Sequence, residues 1–281
     1  MAGAEPELRP LLMPASVCWR FLVHTTDARA REPEVLDGAH NMAVDQALFE
    51  SVQQGGAPVL RFYRWSPACL SLGRNQPARV TPAQLARAGL ELVRRPTGGL
   101  AVRHDQELTY AVAAPVGLVG SPRATYEAVN RALRAGLQDL GVHAAETSRT
   151  DSGPGLFRSA GSCFAGTAPG EVAVNGRKLV GSAQRCERRA ILQHGSILLD
   201  GDQVDAGRLL GRSTGLDAGA TTLRQVLGTV PDWARLMNAL AHAFAREIGI
   251  ALAPGSLTPS ERERVREWSV FFASAEWTWR V

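Results

Sequence analysis

The 281-residue chain is long enough for one large domain or two small ones, and its 45% hydrophobic and 21% charged residues are typical of a soluble globular protein. No apolar run approaches the roughly 18 residues of a membrane helix, so we expect no membrane association. The net charge of +4 is spread along the chain without clustered aromatic residues, which argues against nucleic-acid binding. Solubility or attraction to an acidic partner would each explain this charge.

The N-terminus and the cysteines indicate the compartment. Residues 1–16 form a loose, Pro- and Ala-rich lead-in that lacks the basic and apolar regions of a secretory signal. The four cysteines, Cys18, Cys69, Cys163 and Cys186, are scattered and include no CxxC pair. This pattern indicates free thiols in a reducing compartment and argues against a zinc site. We therefore expect a cytoplasmic protein without a bound metal.

Lysine occurs once in the chain. The 31 basic residues comprise 30 arginines and a single lysine, Lys178. A GC-rich genome explains the abundance of arginine but not the retention of one lysine. A lysine is a compact point charge whose pKa can be tuned, whereas arginine is a permanently charged planar fork. Lys178 therefore either survives by chance or lies where a guanidinium cannot fit or cannot act.

Strands and helices alternate in the first part of the chain. CWRFLVHT predicts a strand, and an apolar stripe predicts a helix over about 39–53. PVLRFYRWSPACLSLG predicts two β segments separated at Ser66-Pro67. A short helix begins at Thr81-Pro82 by N-cap and N1 preference, and LELVRRP predicts another strand.

The second part of the chain contains the clearest helix and the clearest hairpin. ELTYAVAAP predicts a strand, and a helix runs from its cap at Ser121 to Gly141 with apolar residues at 3-4-4-3 spacing. Asn175-Gly176 predicts a two-residue type I′ turn within EVAVNGRKLVGSA, and RAILQHGSILL predicts a further strand. The chain from about 203 is mostly helical, with an amphipathic segment over 231–249.

This order predicts an α+β fold with mixed, largely antiparallel sheets flanked by helices and a short helical C-terminal part. No G-x-G-x-x-G or Walker A pattern favours a doubly wound nucleotide-binding fold instead. We expect a lead-in over 1–16 and a single domain over 17–281. Its core spans about 17–202 and its helical part about 203–281.

The first segment able to carry chemistry is Arg94-Arg95-Pro96-Thr97-Gly98-Gly99, followed by His104-Asp105. Paired glycines after a strand allow a close approach of the backbone to a ligand, and the arginines can bind a carboxylate or phosphate. A plain Gly-Gly turn with surface arginines explains the same residues.

The second segment is the hairpin that carries Lys178 and then Gly181-Ser182-Ala183-Gln184. The small residues leave room for a narrow groove, with Lys178 at one end, that would hold an extended ligand. Alternatively, Lys178 is a surface residue of an edge strand, and the small residues mark where another strand packs.

The third segment is the Gly-, Ser- and Ala-rich loop around Cys163. Thiols in loops are more accessible than structural cysteines such as Cys69, which lies in an apolar strand. Cys186, among several arginines, is the rival nucleophile. If Lys178 lies near Cys163, its ammonium lowers the thiol pKa by stabilising the thiolate. His104 and His194 are distant in sequence from Cys163 and would reach it only through the fold.

At these three segments the sequence resembles the biotin/lipoate protein ligase and octanoyltransferase family, most closely the stand-alone octanoyltransferases that resemble lipoate ligases. The matching stretches, between about residues 40 and 200, are LRFYRWSPACLSLGRNQ, VRRPTGGLAVRHDQELTY, CF followed by EVAVNGRKLVGSAQR, and LQHGSILL. The C-terminal EWTWR is also similar to the group.

The resemblance implies a catalytic domain in which the RR-x-TGG turn and the GSAQ hairpin form an acyl pocket. It implies that Lys178 contacts the acyl carbonyl and that Cys163, fifteen residues earlier, carries the acyl thioester. The substrate-binding residues that it implies are Arg94, Arg95, Thr97, Gly98, Gly99, His104, Gly181, Ser182, Ala183, Gln184 and His194.

The reaction that the resemblance implies is octanoyl transfer from acyl carrier protein to a lysine of a lipoyl domain, such as the glycine cleavage H protein, without a cofactor. Two departures from the ligase pattern favour a transferase: Leu100 replaces a third glycine, and the chain after the catalytic region is short for an accessory domain. Three alternatives stay open: a ligase that uses ATP and magnesium, an amidotransferase between lipoyl domains, and a non-catalytic module that binds an acylated protein.

Overall fold

The computed structural model describes residues 18–24, 36–146, 170–201, 203, 209–210 and 219–280. Its elements up to the large gap are β1 (Cys18–His24), α1 (Gly38–Gln53), β2 (Val59–Tyr63), β3 (Cys69–Leu72), α2 (Pro82–Ala88), β4 (Glu91–Arg94), β5 (Val102–His104), β6 (Glu107–Pro115), α3 (Pro122–Asp139) and β7 (Ala145–Glu146). Those after it are β8 (Val172–Val174), β9 (Arg177–Glu187), β10 (Ala190–Leu198), α4 (Leu223–Leu227), α5 (Trp233–Ile248), β11 (Ala251–Pro254), α6 (Pro259–Ala273) and α7 (Ala275–Thr278).

The strands form two sheets. The large sheet has eight strands in the order β11-β1-β2-β6-β10-β9-β8-β7, and the small sheet has the order β4-β3-β5. The pairs β11-β1, β1-β2 and β3-β4 are parallel, and the other pairs are antiparallel. The prediction of a mixed α+β fold with mostly antiparallel sheets is confirmed.

Helices cover both faces of the large sheet. On one face, α3 and α5 bury residues such as Leu133 and Phe244 against Phe62 and Tyr110. On the other face, α1 buries residues such as Phe49 against alternate strand residues. Because successive strand side chains point to opposite faces, one strand such as β6 serves both cores. None of the helices in the described ranges is long and apolar enough to cross a lipid bilayer.

Local sequence determines several element ends. Ser121 accepts a hydrogen bond from the Ala124 amide at the start of α3, and Thr81 begins α2 in the same way; such caps each contribute about 1 kcal/mol. Asn175 and Gly176 have φ angles of 51° and 73°, which confirms the type I′ geometry predicted for the hairpin.

Three strands were not predicted. β5 has only three residues and β7 only two, too few for a pattern. β11 has the sequence ALAP, which combines low β propensity with a proline, and it forms the outer edge of the large sheet beside β1. The C-terminal part is therefore mostly helical, as expected, but also contributes one strand to the large sheet.

Candidate active site

A narrow cavity opens between the small sheet and the large one, with a volume of about 320 Å³ when its open mouth is included. Its walls come from α1, the ends of β2 and β4, the strand β5, and the adjacent strands β6, β9 and β10. The lining residues are Met42, Tyr63, Trp65, Arg95, Val102, His104, Thr109, Gly181, Ser182, Ala183, His194, Gly195 and Ser196. Mostly apolar walls with a few convergent polar groups are typical of a small-molecule site.

One wall of the cavity consists largely of small residues, whose side chains project little into the space. Gly181, Ser182 and Ala183 on β9 pair with Ser196, Gly195 and His194 on β10. A Cβ atom at Gly195 would overlap the Gly181 carbonyl oxygen and lie 2.8 Å from the Tyr110 ring. Tyr110 belongs to the core under α3 and α5, so Gly195 is required by packing on that face, whereas Gly181 and Ala183 leave room on the cavity face.

A buried carboxylate organises the polar end of the cavity. Asp45 of α1 accepts hydrogen bonds from Arg61 Nη1 at 2.7 Å, from the Tyr63 hydroxyl at 2.8 Å and from His194 Nδ1 at 2.9 Å. His194 Nε2 lies 2.6 Å from Thr97 Oγ1. Burial alone would raise the pKa of Asp45, but the His194 hydrogen bond and the Arg61 charge outweigh it and hold the pKa below its usual value. Asp45 is therefore an ionised group in a buried network.

A second carboxylate–histidine pair lies on the opposite wall. His104 Nδ1 is 2.6 Å from Glu107 Oε1, and His104 Nε2 is 2.6 Å from Ser71 Oγ. The His104 ring stacks on Trp65 with centroids 3.8 Å apart. Burial lowers the pKa of His104 in spite of the Glu107 charge, which favours the neutral ring. The hydrogen bond with Glu107 therefore fixes the orientation of the His104 ring, which forms part of the cavity wall.

Arg95 connects this second pair to the glycine turn. Its Nη1 donates to Ser71 Oγ at 2.6 Å, and its Nη2 donates to the carbonyl oxygens of Gly98 at 3.0 Å and Leu100 at 2.9 Å. Gly99 has a φ of 89°, a left-handed conformation that favours glycine. The arginine therefore holds the turn with a fixed positive charge at the cavity wall.

Lys178 is nearly fully buried, with 1% of its surface exposed, and its Nζ donates to Glu171 Oε1 at 2.6 Å. Ala173 pairs with Lys178 and Val172 with Val180, so Leu179 is an additional residue in β9. Such a bulge changes the alternation of side chains. Leu179 and Val180 both belong to the core under α3 and α5, whereas Lys178 shares the opposite face with Gly181, which lines the cavity.

The predicted site residues fall into three groups. Arg95, His104, Gly181, Ser182, Ala183 and His194 line the cavity. Thr97, Gly98 and Gly99 adjoin it through the contacts described above, and Lys178 lies on the same strand face as Gly181. Arg94 and Gln184 point away from it.

The two residues that point away have other partners. Arg94 donates to the carbonyl oxygens of Gly73 at 2.9 Å, Thr278 at 2.9 Å and Arg280 at 3.0 Å, which binds the C-terminal segment to a loop. Gln184 donates to the Pro122 carbonyl oxygen at 3.0 Å on the α3 side of the sheet.

Cys163 lies outside the described residues, so its position relative to Lys178 stays a prediction. Cys69 is buried, as expected, and burial raises the pKa of its thiol well above the usual value, which makes it a poor nucleophile. Cys186 is exposed on β9, near the β9–β10 turn. Within the described ranges, no group of three or more His, Cys, Asp or Glu side chains is arranged to hold a metal ion.

Sequence reasoning missed several residues of the site, and all but one of them carried a weak indication. Asp45 and Arg61 are charged residues inside apolar elements, a pattern that predicts a buried ion pair. Glu107 begins a strand that is otherwise apolar. Trp65 lies two residues after the end of β2 and showed no distinguishing pattern.

Comparison with known proteins identifies the family. Residues 37–245 match the family described as the lipoyl protein ligase A/B catalytic domain. Octanoyltransferase LipM from Kyrpidia tusciae is 37% identical over 279 residues, which covers 93% of this chain and 98% of that protein. Octanoyltransferase LipM from Symbiobacterium thermophilum is 38% identical over 248 residues, or 82% of this chain and 89% of that protein.

A solved structure shares the fold. A bipartite lipoate protein ligase from an archaeal lipoylation system, that of Thermoplasma acidophilum, superposes with a TM-score of 0.71 at 21% identity, covering 94% of this chain and 97% of that one. The family match and the two octanoyltransferase relatives confirm the resemblance inferred from the sequence motifs. The chain belongs to the lipoyl protein ligase A/B catalytic domain family.

Proposed function

We propose that this chain is an octanoyltransferase that moves an octanoyl group from acyl carrier protein to a lysine of a lipoyl domain, such as the glycine cleavage H protein, in lipoate biosynthesis. The observation that carries the proposal is the small-residue wall of the cavity on the strand face that also presents Lys178. Relatives of nearly full length that are named octanoyltransferases support it.

The cavity suits a short, extended acyl chain. Met42, Tyr63, Trp65 and Val102 provide apolar walls, and the small residues of β9 and β10 leave a narrow slot between them. Burying six or seven methylene groups at about 0.8 kcal/mol each contributes about 5 kcal/mol to binding. This binding energy is available to hold the acyl group while its carbonyl end reacts at the mouth.

In the first half-reaction, the Cys163 thiolate attacks the carbonyl carbon of the carrier thioester. A new C–S bond forms, the carbonyl π electrons move to oxygen, and collapse of this intermediate expels the carrier thiolate. The Lys178 ammonium stabilises the developing negative charge, because charges interact strongly in a buried site. Its ion pair with Glu171 keeps the ammonium in place between turnovers.

In the second half-reaction, the acceptor amine attacks the acyl-enzyme. An amide bond forms, the bond to the Cys163 sulfur breaks, and the thiolate is regenerated. Lipoyl domains and acyl carrier proteins are typically acidic, so the net charge of +4 favours encounter with both.

Intact-protein mass spectrometry tests this proposal. The full chain is mixed with octanoyl-acyl carrier protein without ATP, beside Cys163→Ala and Cys186→Ala. We expect one octanoyl adduct, labile to hydroxylamine, in the wild type and in Cys186→Ala, and none in Cys163→Ala. Cys186→Ala is the matched control because Cys186 is an exposed thiol on β9, the strand that also carries Lys178.

Other outcomes identify the alternatives. Absence of an adduct together with octanoate-dependent AMP formation on addition of ATP would identify a ligase. Acylation by an octanoylated H protein but not by the carrier protein would identify an amidotransferase. Inertness toward all three donors would indicate a binding module.

A further inference from the structure

A chain of hydrogen bonds runs from the buried ion pair of α1 and β2 to the glycine turn. It consists of Arg61, Asp45, His194 and Thr97, with steps of 2.7, 2.9 and 2.6 Å. Its members come from four separate segments, and all four residues are buried. We call these four residues the Asp45–Thr97 relay.

The charge state of Asp45 determines the tautomer of His194. Arg61 and the Tyr63 hydroxyl both donate to Asp45, which leaves the carboxylate as the acceptor for His194 Nδ1–H. His194 Nε2 then carries the lone pair and accepts from the Thr97 hydroxyl. The imidazole is thus prepared to take up a proton at Nε2, and Asp45 is placed to stabilise the resulting imidazolium.

Neither of the other basic groups near the cavity is as well placed. His104 has the same carboxylate–histidine–hydroxyl order, but its Ser71 hydroxyl accepts from the Arg95 guanidinium, a cation that repels the positive charge that develops on the attacking nitrogen. Lys178 is itself a cation, paired with Glu171. Thr97 instead immediately precedes the Gly98-Gly99 turn, and its partner His194 lines the cavity.

We propose that Thr97 and His194 together take up the proton that the acceptor lysine loses when it attacks the acyl-enzyme; this inference rests on the octanoyl transfer proposed above. As the C–N bond forms, the nitrogen becomes positively charged. Thr97 Oγ1 receives its proton and passes its own hydroxyl proton to His194 Nε2. The tetrahedral intermediate then collapses, the C–S bond to Cys163 breaks, and the amide is neutral. The step leaves a negative charge on the Cys163 thiolate and a positive charge on the His194 imidazolium, so the total charge is unchanged.

The test separates the two half-reactions. Acyl-enzyme is prepared with octanoyl-acyl carrier protein, freed of donor, and mixed with excess lipoyl domain in a single turnover. Thr97→Val removes the hydroxyl at nearly constant shape, and Thr97→Ser retains it. We expect Thr97→Val to lower the transfer rate by about 100-fold or more, the usual contribution of general base catalysis, and Thr97→Ser to recover most of it.

Cleavage by hydroxylamine is the matched control. This small nucleophile leaves room for water, which can take up the proton of its adduct without the relay, so Thr97→Val acyl-enzyme should react with it as fast as the wild type. Equal losses with both nucleophiles would overturn the inference, since they would indicate a general distortion of the site. Transfer by Thr97→Val at the wild-type rate would also overturn it.

His194→Gln provides a second variant if Thr97→Val does not fold, and the same selective loss is expected. Transfer to the lipoyl domain by His194→Gln acyl-enzyme at the wild-type rate, or an equal loss with hydroxylamine, would contradict the inference, whereas a wild type that forms no acyl-enzyme would contradict the proposed function itself.

Discussion

Asp45→Asn keeps the shape of a side chain at the centre of a buried cluster and removes its charge. Three donors converge on this carboxylate, from Arg61 at 2.7 Å, Tyr63 at 2.8 Å and His194 at 2.9 Å. Asparagine offers one acceptor oxygen and directs an NH₂ group toward two of these donors. The Arg61 guanidinium, fully buried, loses the counter-charge that Asp45 provides.

The expected loss of stability is large. Removing one partner of a buried ion pair typically costs about 3–5 kcal/mol. A chain of 281 residues has an unfolding entropy of about 0.6 kcal/mol/K near its midpoint, at about 2.1 cal/mol/K per residue. The ratio of these values predicts that Asp45→Asn lowers Tm by about 5–8 °C.

Calorimetric unfolding at pH 7 measures this shift. Glu127→Gln is the control, because it breaks the ion pair with Arg123, whose side chains are 44% and 88% exposed, and should leave Tm unchanged. An Asp45→Asn melting point within 1 °C of the wild type would refute the assignment of a stabilising role to the pair.

The difference in stability between the wild type and Asp45→Asn should depend on pH. Because the folded pKa of Asp45 is below its unfolded value, the stability that its charge contributes is fully present above the unfolded pKa and is lost as pH falls through the folded pKa. The difference between the wild type and Asp45→Asn should therefore shrink only in strong acid. A difference that is already lost at pH 6 would contradict this explanation.

Three further changes have expected outcomes. Lys178→Arg retains the charge but places a larger, planar group where the lysine is only 1% exposed. We therefore expect the rate of acyl-enzyme formation, measured by mass spectrometry, to fall at least 100-fold. Acylation at the wild-type rate would show that the shape of the cationic group at this position is unimportant. Gly195→Ala forces a Cβ against the Gly181 carbonyl oxygen and should destabilise the fold by about 1–3 kcal/mol in denaturant titrations, and an unchanged midpoint would contradict the packing argument. Burial and the Arg61 charge lower the pKa of His24 to about 3, so stability should decline as pH falls from about 6.5 toward 3, by at most about 1.4 kcal/mol per pH unit; His24→Gln should reduce that slope, and an identical slope would refute it.

Local patterns in the sequence predicted the elements well because their causes are local. The helix over Pro122–Asp139 has a serine cap, a proline at its first position and a regular apolar stripe. The hairpin at Asn175-Gly176 needs two positive φ angles, which these residues adopt readily. Both features were predicted from short continuous segments, of 21 residues for the helix and 13 for the hairpin.

The cavity depended on contacts that no local pattern reveals. His194 and Asp45 are 149 residues apart in sequence, and His194 and Thr97 are 97 apart. Arg94 and Arg95 are equivalent in sequence, yet one binds the C-terminal segment and the other lines the cavity. The side chains of neighbouring residues at the end of a strand point to opposite sides, so Arg94 and Arg95 must have different surroundings. Which arginine faces the cavity depends on how β4 packs in three dimensions.

The additional residue Leu179 has a consequence for how this hairpin can change in evolution. Successive side chains of β9 alternate between the two faces of the sheet, and this alternation shifts by one residue at Leu179. Lys178 and Gly181 therefore lie on the same face of the sheet, because the shift lies between them. Loss of the bulge without a deletion would restore regular alternation and direct the lysine into the core under α3, whereas deletion of Leu179 would keep the lysine on its face but bring it about 3.3 Å nearer to Gly181 along the strand. Insertions and deletions are therefore far more restricted at this position than at the Asn175-Gly176 turn, although both belong to the same short hairpin. The spacing between the lysine and the small residues is a structural constraint as strict as the identity of the lysine itself.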